Sequence, residues 1–393
     1  MPTMEILGQQ EAIKKLDAEL ISGTLSHAYM IWGPPGSGRA MLAKGLAVAA
    51  NCTGRADMPA ESLRGLWHCG KCRNCAKLLS DAHPDYAVVR PEGASIGIDE
   101  VREMQSRISL RPGESHLKTW VIEDAHAMTE PAQNCLLKVL EEPPGHALII
   151  LLLDDEDMVL PTIASRCHSV RLGTVDRATL VDWGQRELGL SAERAATLAA
   201  LSGGLPGRMA RLANDPAYFK LRGEILSTVR GVMWCGDGGK ALAASERLMR
   251  IFRNPRAEAD AADGVEGAED DDAAESAAGK EGKASRTGKA SKASKASANS
   301  SEAASIRKPR GACDLIASYM RDALTLSLGG GRDMLINADL ADELEQDAGR
   351  GQPEQFKRWA ERCIDTGEAV DANANVQLAL DALMLQFALP MLC

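Results

Sequence analysis

Ala28-Tyr29-Met30-Ile31-Trp32 runs directly into Gly33-Pro34-Pro35-Gly36-Ser37-Gly38-Arg39-Ala40, and the pattern turns helical from 39 to 50. An apolar run, a glycine-rich loop and a helix in succession build a phosphate site. The loop's backbone N–H groups converge where the helix N-terminus is electropositive. Gly33 and Gly38 have the spacing of such a loop, and the strand and helix around them set it apart from a chance glycine turn. Two residues that the chemistry needs are replaced. Arg39 stands where a lysine would meet the phosphates, and its planar fork is no substitute for a compact ammonium. Ala40 stands where a hydroxyl would hold Mg²⁺. What remains is a degenerate phosphate loop of Gly33, Gly36, Gly38 and Arg39, expected to bind ATP or ADP weakly or not at all.

Working outward from the loop, apolar runs alternate with helical patterns. Strands are expected at 27–32, 86–90, 119–123 and 147–153, and helices at 9–22, 39–50, 99–109 and 130–141. The run 146–153 fits a buried helix by periodicity alone, but its length and the flanking Pro143-Pro144-Gly145 and Asp154-Asp155 favour a buried strand. This predicts an α/β module over 1–172 with a parallel sheet. From about 174 the pattern becomes helical, with helices at 175–188, 191–201 and 208–213 making a small lid over 173–215.

The remainder, 216–393, reads as an all-α domain. A tract of Ala, Asp, Glu, Lys, Ser and Gly at 257–305 interrupts it, too poor in large apolar residues to offset chain entropy and expected to be a disordered linker. Helices resume at 309–328, 353–364 and 373–392. In the last, Leu378, Leu380, Leu383, Met384, Phe387 and Leu389 are expected to offer apolar surface to partner helices.

Composition narrows the function classes. Aromatics are 4% of the 393 residues and the formal net charge is -10, which disfavours a broad cationic nucleic-acid surface. No run of about 18 uncharged apolar residues occurs and no signal-peptide pattern opens the chain, so a cytoplasmic protein is expected. Ten cysteines in such a setting suggest metal before disulfides. Cys69-Gly70-Lys71-Cys72-Arg73-Asn74-Cys75 spaces three sulfurs at two-residue gaps, and Cys52 supplies a fourth. The four form a candidate structural zinc site with no open coordination position, with His68 a competitor for the place of Cys52 and a redox or fortuitous cluster the alternative.

Further motifs follow in order: Leu7-Gly8-Gln9, Ser26-His27-Ala28-Tyr29, Thr119 to Asp124, Leu136-Leu137-Lys138-Val139-Leu140-Glu141-Glu142-Pro143-Pro144, and Ser165-Arg166-Cys167. Together with the phosphate loop they resemble the clamp-loader branch of the AAA+ ATPases, which open ring-shaped sliding clamps and place them on primed DNA. The resemblance covers about 1–215. It implies a RecA-like AAA+ P-loop module with an inserted zinc site, a helical lid and an all-α collar that holds a pentameric ring. In that pattern Arg166 is a finger that reaches a neighbour's ATP, the acidic pair Glu123-Asp124 is reversed from the usual Asp-Glu, and Asp154 stands where a sensor Thr or Asn is usual.

The resemblance therefore implies a non-hydrolysing subunit of the DNA polymerase III holoenzyme. Its implied partners are gamma/tau-type ATPase and delta-type subunits in a hetero-pentamer, with the sliding clamp and primed DNA reached through the complex. Arg208, in Ser202-Gly203-Gly204-Leu205-Pro206-Gly207-Arg208, lies one position away from a second sensor arginine and is not given that role. An active ATPase motor and a zinc-dependent nucleic-acid-binding module stay open as alternatives.

Overall fold

The computed structural model describes residues 6–59, 62–91, 93, 95–253 and 301–389. The expected linker lies outside the described residues as far as 300. Contacts divide the chain into two units, 1–210 and 211–393.

The first unit is built on a five-stranded sheet in the order β2-β3-β4-β1-β5, with every pairing parallel. The strands are β1 (Ala28–Trp32), β2 (Tyr86–Val89), β3 (Lys118–Ile122), β4 (Ala147–Leu153) and β5 (His168–Arg171). All seven residues of β4 are buried, because β4 pairs with β1 and β3 and both its faces are covered. Its length and flanking turns had pointed to this. Side chains alternate across the sheet. Met30, Ile149 and Leu151 face a core that includes Met104 of α4 (Ile98–Ile108) and Leu136 of α5 (Glu130–Glu141). Tyr29, Ile31, Ile150 and Leu152 face Leu16 of α1 (Gln10–Ser22) and Leu42 and Leu46 of α2 (Arg39–Ala50).

β5 has no counterpart in the sequence reading. It is an edge strand in which only Val170 is buried, so neither alternation nor an apolar run marks it. Two short helices, α3 (Arg73–Leu79) and α6 (Pro161–Ala164), were also unmarked.

After the sheet come α7 (Arg177–Glu187), α8 (Ala192–Ser202) and α9 (Pro206–Ala213). The carboxylate of Asp176 and the hydroxyl of Ser191 cap α7 and α8 by accepting the N–H groups of Thr179 and Arg194. Gly184 lets α7 pack closely, since a Cβ there would lie 2.4 Å from the methyl of Met209.

The second unit is helical: α10 (Pro216–Arg230), α11 (Gly238–Arg253), α12 (Glu302–Arg307), α13 (Pro309–Ser327), α14 (Ala341–Ala348), α15 (Pro353–Asp371) and α16 (Val376–Ala388). Residues 301–305, expected in the linker, instead begin α12. Ser301 accepts the Ala304 N–H at 3.0 Å, Asp215 accepts that of Ala303 at 2.9 Å, and Ala303 and Ile306 are buried. Composition hid the i, i+3 pair that seats the helix. The apolar face of α16 packs on neighbouring helices, as its reading expected. Leu380, Leu383, Met384 and Phe387 are buried within this unit, where Phe387 meets Trp359 edge-on, and Leu378 alone among these residues is largely exposed. Among the described residues no helix is long and apolar enough to cross a membrane.

Charge is buried in this unit as well. Arg222 is 3% exposed and grips Asp339 through both Nη atoms, at 2.6 and 3.0 Å, while Nη2 also donates to Asn337. Removing one partner of such a pair leaves a desolvated charge. Asp339→Ala is expected to destabilise the chain by about 3 kcal/mol, the low end for orphaning a buried ion, because Asp339 is itself partly exposed. Urea unfolding measures this, and an unchanged midpoint would mean that water reaches Arg222.

Candidate functional site

The phosphate loop has the backbone of one. It leaves β1 with the Gly33 N–H donating to Leu153 O of β4 at 3.2 Å, and Gly33, Gly36 and Gly38 all have positive φ. At Gly33 glycine is obligatory, because at φ 146° a Cβ would lie 2.3 Å from the carbonyl oxygen of Leu172. Gly38 opens α2 in the left-handed region. These glycines, Arg39 and Asp154 gather at the C-terminal ends of β1 and β4, where open α/β sheets hold ligands.

The polar groups there are turned on one another. Arg39 Nη1 lies 2.6 Å from Asp154 Oδ1, with the arginine side chain 11% exposed and the aspartate 34%. Thus the cation that would meet phosphate already faces an internal carboxylate. The carbonyl of Gly36 accepts the N–H of Gly207, at the start of α9, at 2.9 Å. That contact needs glycine, since a Cβ on Gly207 would fall 3.0 Å from the same oxygen.

Glu123 extends β3, its N–H donating to Val89 O. Its carboxylate takes Arg90 as a fork, Nε at 2.7 Å and Nη2 at 3.0 Å, a bond that raises the guanidinium's pKa further. Arg90 directly follows edge strand β2, which β3 and β4 separate from β1, so this acidic residue is engaged on the side away from the loop. Asp124 is left-handed at φ 49°.

Neither Arg90 nor Gly207 was singled out in the sequence. Arg90 was legible in principle, for the register Val89↔Ile122 puts it beside Glu123. The signal at Gly207 was a glycine in the first turn of a helix, which marks a close backbone approach.

Arg166 lies elsewhere. It follows α6 and precedes β5, whose first residue His168 pairs with Tyr29 near the start of β1. In a parallel sheet this puts Arg166 at the N-terminal edge, while its own phosphate loop leaves the C-terminal edge, about four residues or roughly 13 Å further along. The guanidinium donates through Nη1 to Thr162 O at 2.9 Å and meets Glu141 Oε1 through Nη2 at 2.9 Å. The Leu-Glu-Glu and Ser-Arg-Cys segments are thereby brought together. Burial pushes the neighbouring Cys167 thiol up to about 12, so it stays protonated.

The four cysteines also converge. One sulfur from each of Cys52, Cys69, Cys72 and Cys75 lies within 4.8 Å of all the others, compatible with four bonds of about 2.3 Å to one ion. Backbone N–H groups of Cys69, Cys72 and Cys75 donate to the sulfurs of Cys52, Cys69 and Cys72 at 3.2–3.4 Å, bonds that favour thiolates. Burial alone would raise Cys72, yet the Cys75 amide and the Thr53 hydroxyl hold it down at about 6. Burial raises Cys52 and Cys75. The donor set fits a closed metal site.

His68 is not in this group. It is buried, with Nδ1 3.2 Å from Leu66 O. The metal module is fixed to α1 by Asp17, whose carboxylate accepts the N–H groups of Gly65 and Leu66 at 2.6 and 2.9 Å. Because Cys52 follows the C-terminus of α2 and the loop precedes its N-terminus, the ion's place is about 18 Å from the loop. It is too far away to take part in phosphate chemistry.

Comparison with known proteins agrees over this first unit. Residues 8–176 match a family model described as DNA polymerase III, delta subunit. A delta' subunit of DNA polymerase III from Pseudomonas aeruginosa is 36% identical over 190 residues, 48% of this chain and 56% of its own length. That of Escherichia coli is 31% identical over 196 residues, 49% and 56% respectively. A gamma/tau subunit from Mycobacterium bovis is 35% identical over 165 residues, 42% of this chain and 27% of its own. The matched region thus spans about half the length of the delta' relatives and less of the gamma/tau one. Within it the chain is similar to delta' and gamma/tau subunits of DNA polymerase III, and the matched residues build the parallel sheet with helices on both faces.

One metal ion per chain is expected from elemental analysis of protein purified without chelator. Replacing Cys72 and Cys75 together with serine is expected to abolish it and to lower the melting temperature, because binding energy at such a site contributes to folding. A metal-free parent that melts where the metal-bound one does would overturn the assignment.

Proposed function

We propose that this chain is a cytoplasmic clamp-loader subunit of the DNA polymerase III holoenzyme that does not hydrolyse ATP and lends Arg166 to the nucleotide of a neighbouring subunit. In this reading the neighbours are gamma/tau-type and delta-type subunits of a hetero-pentamer, the complex carries the sliding clamp to primed DNA, and the four cysteines hold a structural zinc. The observation that carries it is the separation of Arg166 from its own phosphate loop. The finger stands at one edge of the sheet and the loop at the other, so its guanidinium suits only a phosphate brought by another chain.

The loop supports the same reading. Arg39 is committed to Asp154, Glu123 to Arg90, and position 40 has no hydroxyl for Mg²⁺. A gamma/tau-type motor is the second reading, because such a subunit matches the same region at 35% identity. It would require both ion pairs to open and a metal to be held without the hydroxyl.

Two expected outcomes separate them. The isolated chain should release no phosphate from ATP above background, with or without primed DNA. ATP should leave its melting temperature unmoved, whereas Asp154→Asn frees Arg39 and should gain a shift, about 1.4 kcal/mol of linkage once ligand reaches ten times Kd. Turnover near 1 s⁻¹ by the isolated chain would establish the motor.

Arg166→Ala should leave folding and assembly of the complex unchanged and lower its DNA-stimulated ATPase and clamp-loading rates. The fall should be smaller than the roughly 10³-fold of a single-site finger, since other interfaces keep theirs. Unaltered rates together with a destabilised Arg166→Ala monomer would make the residue structural.

A further inference from the structure

Glu141 is the last residue of α5, where a carboxylate faces the partial negative charge of the helix's own terminal carbonyls. Glu142 adds a second acid directly after it. The location is electrostatically unfavourable for Glu141 unless a cation answers it, and the cation that does is Arg166, with Oε1 to Nη2 at 2.9 Å. The same guanidinium is held from a second direction by Thr162 O at 2.9 Å, with the Ser165 hydroxyl at 3.4 Å. Both partners of the ion pair remain open to solvent, the arginine side chain at 37% and the glutamate at 52%. An exposed pair of this kind contributes little to folding. Its effect lies in orientation: a long side chain with three methylenes and many rotamers is confined to one pose, while a guanidinium with five N–H donors has donors left over.

We propose that Glu141 is a positioning residue for Arg166, holding the finger in the pose in which it meets a neighbouring subunit's phosphate. The inference rests on the reading of Arg166 as a finger. Ordering the arginine beforehand removes an entropic cost from the reaction step and leaves nucleotide binding at the neighbour untouched. Removal of Glu141 should therefore lower kcat and spare the KM for ATP.

The test uses the reconstituted complex, with Glu141→Ala, Glu141→Gln, Arg166→Ala and the Glu141→Ala/Arg166→Ala double variant, and ATP and primed DNA as substrates. Glu141→Ala is expected to reduce DNA-stimulated kcat by about threefold to tenfold, the scale set by ordering one long side chain, with KM unchanged. Glu141→Gln keeps an acceptor oxygen and should lose less. The double variant should be no slower than Arg166→Ala alone, because a positioning residue has nothing to act on once the finger is gone.

Three results would overturn the proposal. Unaltered or faster turnover by Glu141→Ala, with Arg166→Ala slow, would mean that Glu141 does not position the finger, and the finger itself would stand. Losses that multiply in the double variant would place Glu141 on another route. Unaltered turnover by Arg166→Ala would remove the finger and, with it, any role for Glu141.

Discussion

β4 is hydrogen-bonded on both edges and covered on both faces, and the first unit is arranged around that constraint. A strand so enclosed must be apolar at every position, and its neighbours must lie parallel because helices on both faces connect them. Parallel pairing puts the ends of all strands at two opposite edges. The phosphate loop leaves at the C-terminal edge and the turn carrying Arg166 enters at the N-terminal one. The separation of the two follows from strand direction and needs no detail of side-chain placement.

The arginines of the phosphate loop, the acidic strand end and the Ser-Arg-Cys turn are each answered by an acid of the same chain: Arg39 by Asp154, Arg90 by Glu123 and Arg166 by Glu141. The Arg166 pair is open to solvent on both sides and adds at most about 1 kcal/mol to stability, so its main effect is on what the charge can reach. Arg39 and Glu123 are engaged where a nucleotide and its metal would need them. Arg166 keeps over a third of its side chain open to solvent. This contrast is the electrostatic basis of the proposed division of labour, in which the chain contributes a charge to another subunit's site and has withdrawn those of its own.

The metal module is independent of that arrangement. Its ligands come from the end of α2, a tight turn and the start of α3, and Asp17 ties the intervening loop to α1 through two amides. An ion held by the four cysteines would brace the segment between α2 and α3, at the end of α2 opposite the phosphate loop. Amide donors to the sulfurs of Cys52, Cys69 and Cys72 favour their thiolate forms against burial.

Local spacing in the sequence was enough to reveal the loop, the buried strand β4, the helices around it and the cysteine quartet, because each depends on residues close together in the chain. Gly33 and Gly38 are six residues from end to end of one motif, and Cys69, Cys72 and Cys75 lie within one turn and the first turn of a helix. The sequence also showed that Arg39 and Ala40 stand where a lysine and a hydroxyl are usual in such a loop. It could not say that Arg39 would face Asp154, that Glu123 would turn to Arg90, or that Glu141 would hold Arg166. Those pairings join residues 25 to 115 positions apart, and only strand register and helix ends meeting in space decide them. The edge strand β5 and the capped turn of α12 were settled in the same way. Their local patterns are weak, and the contacts that define them come from distant parts of the chain.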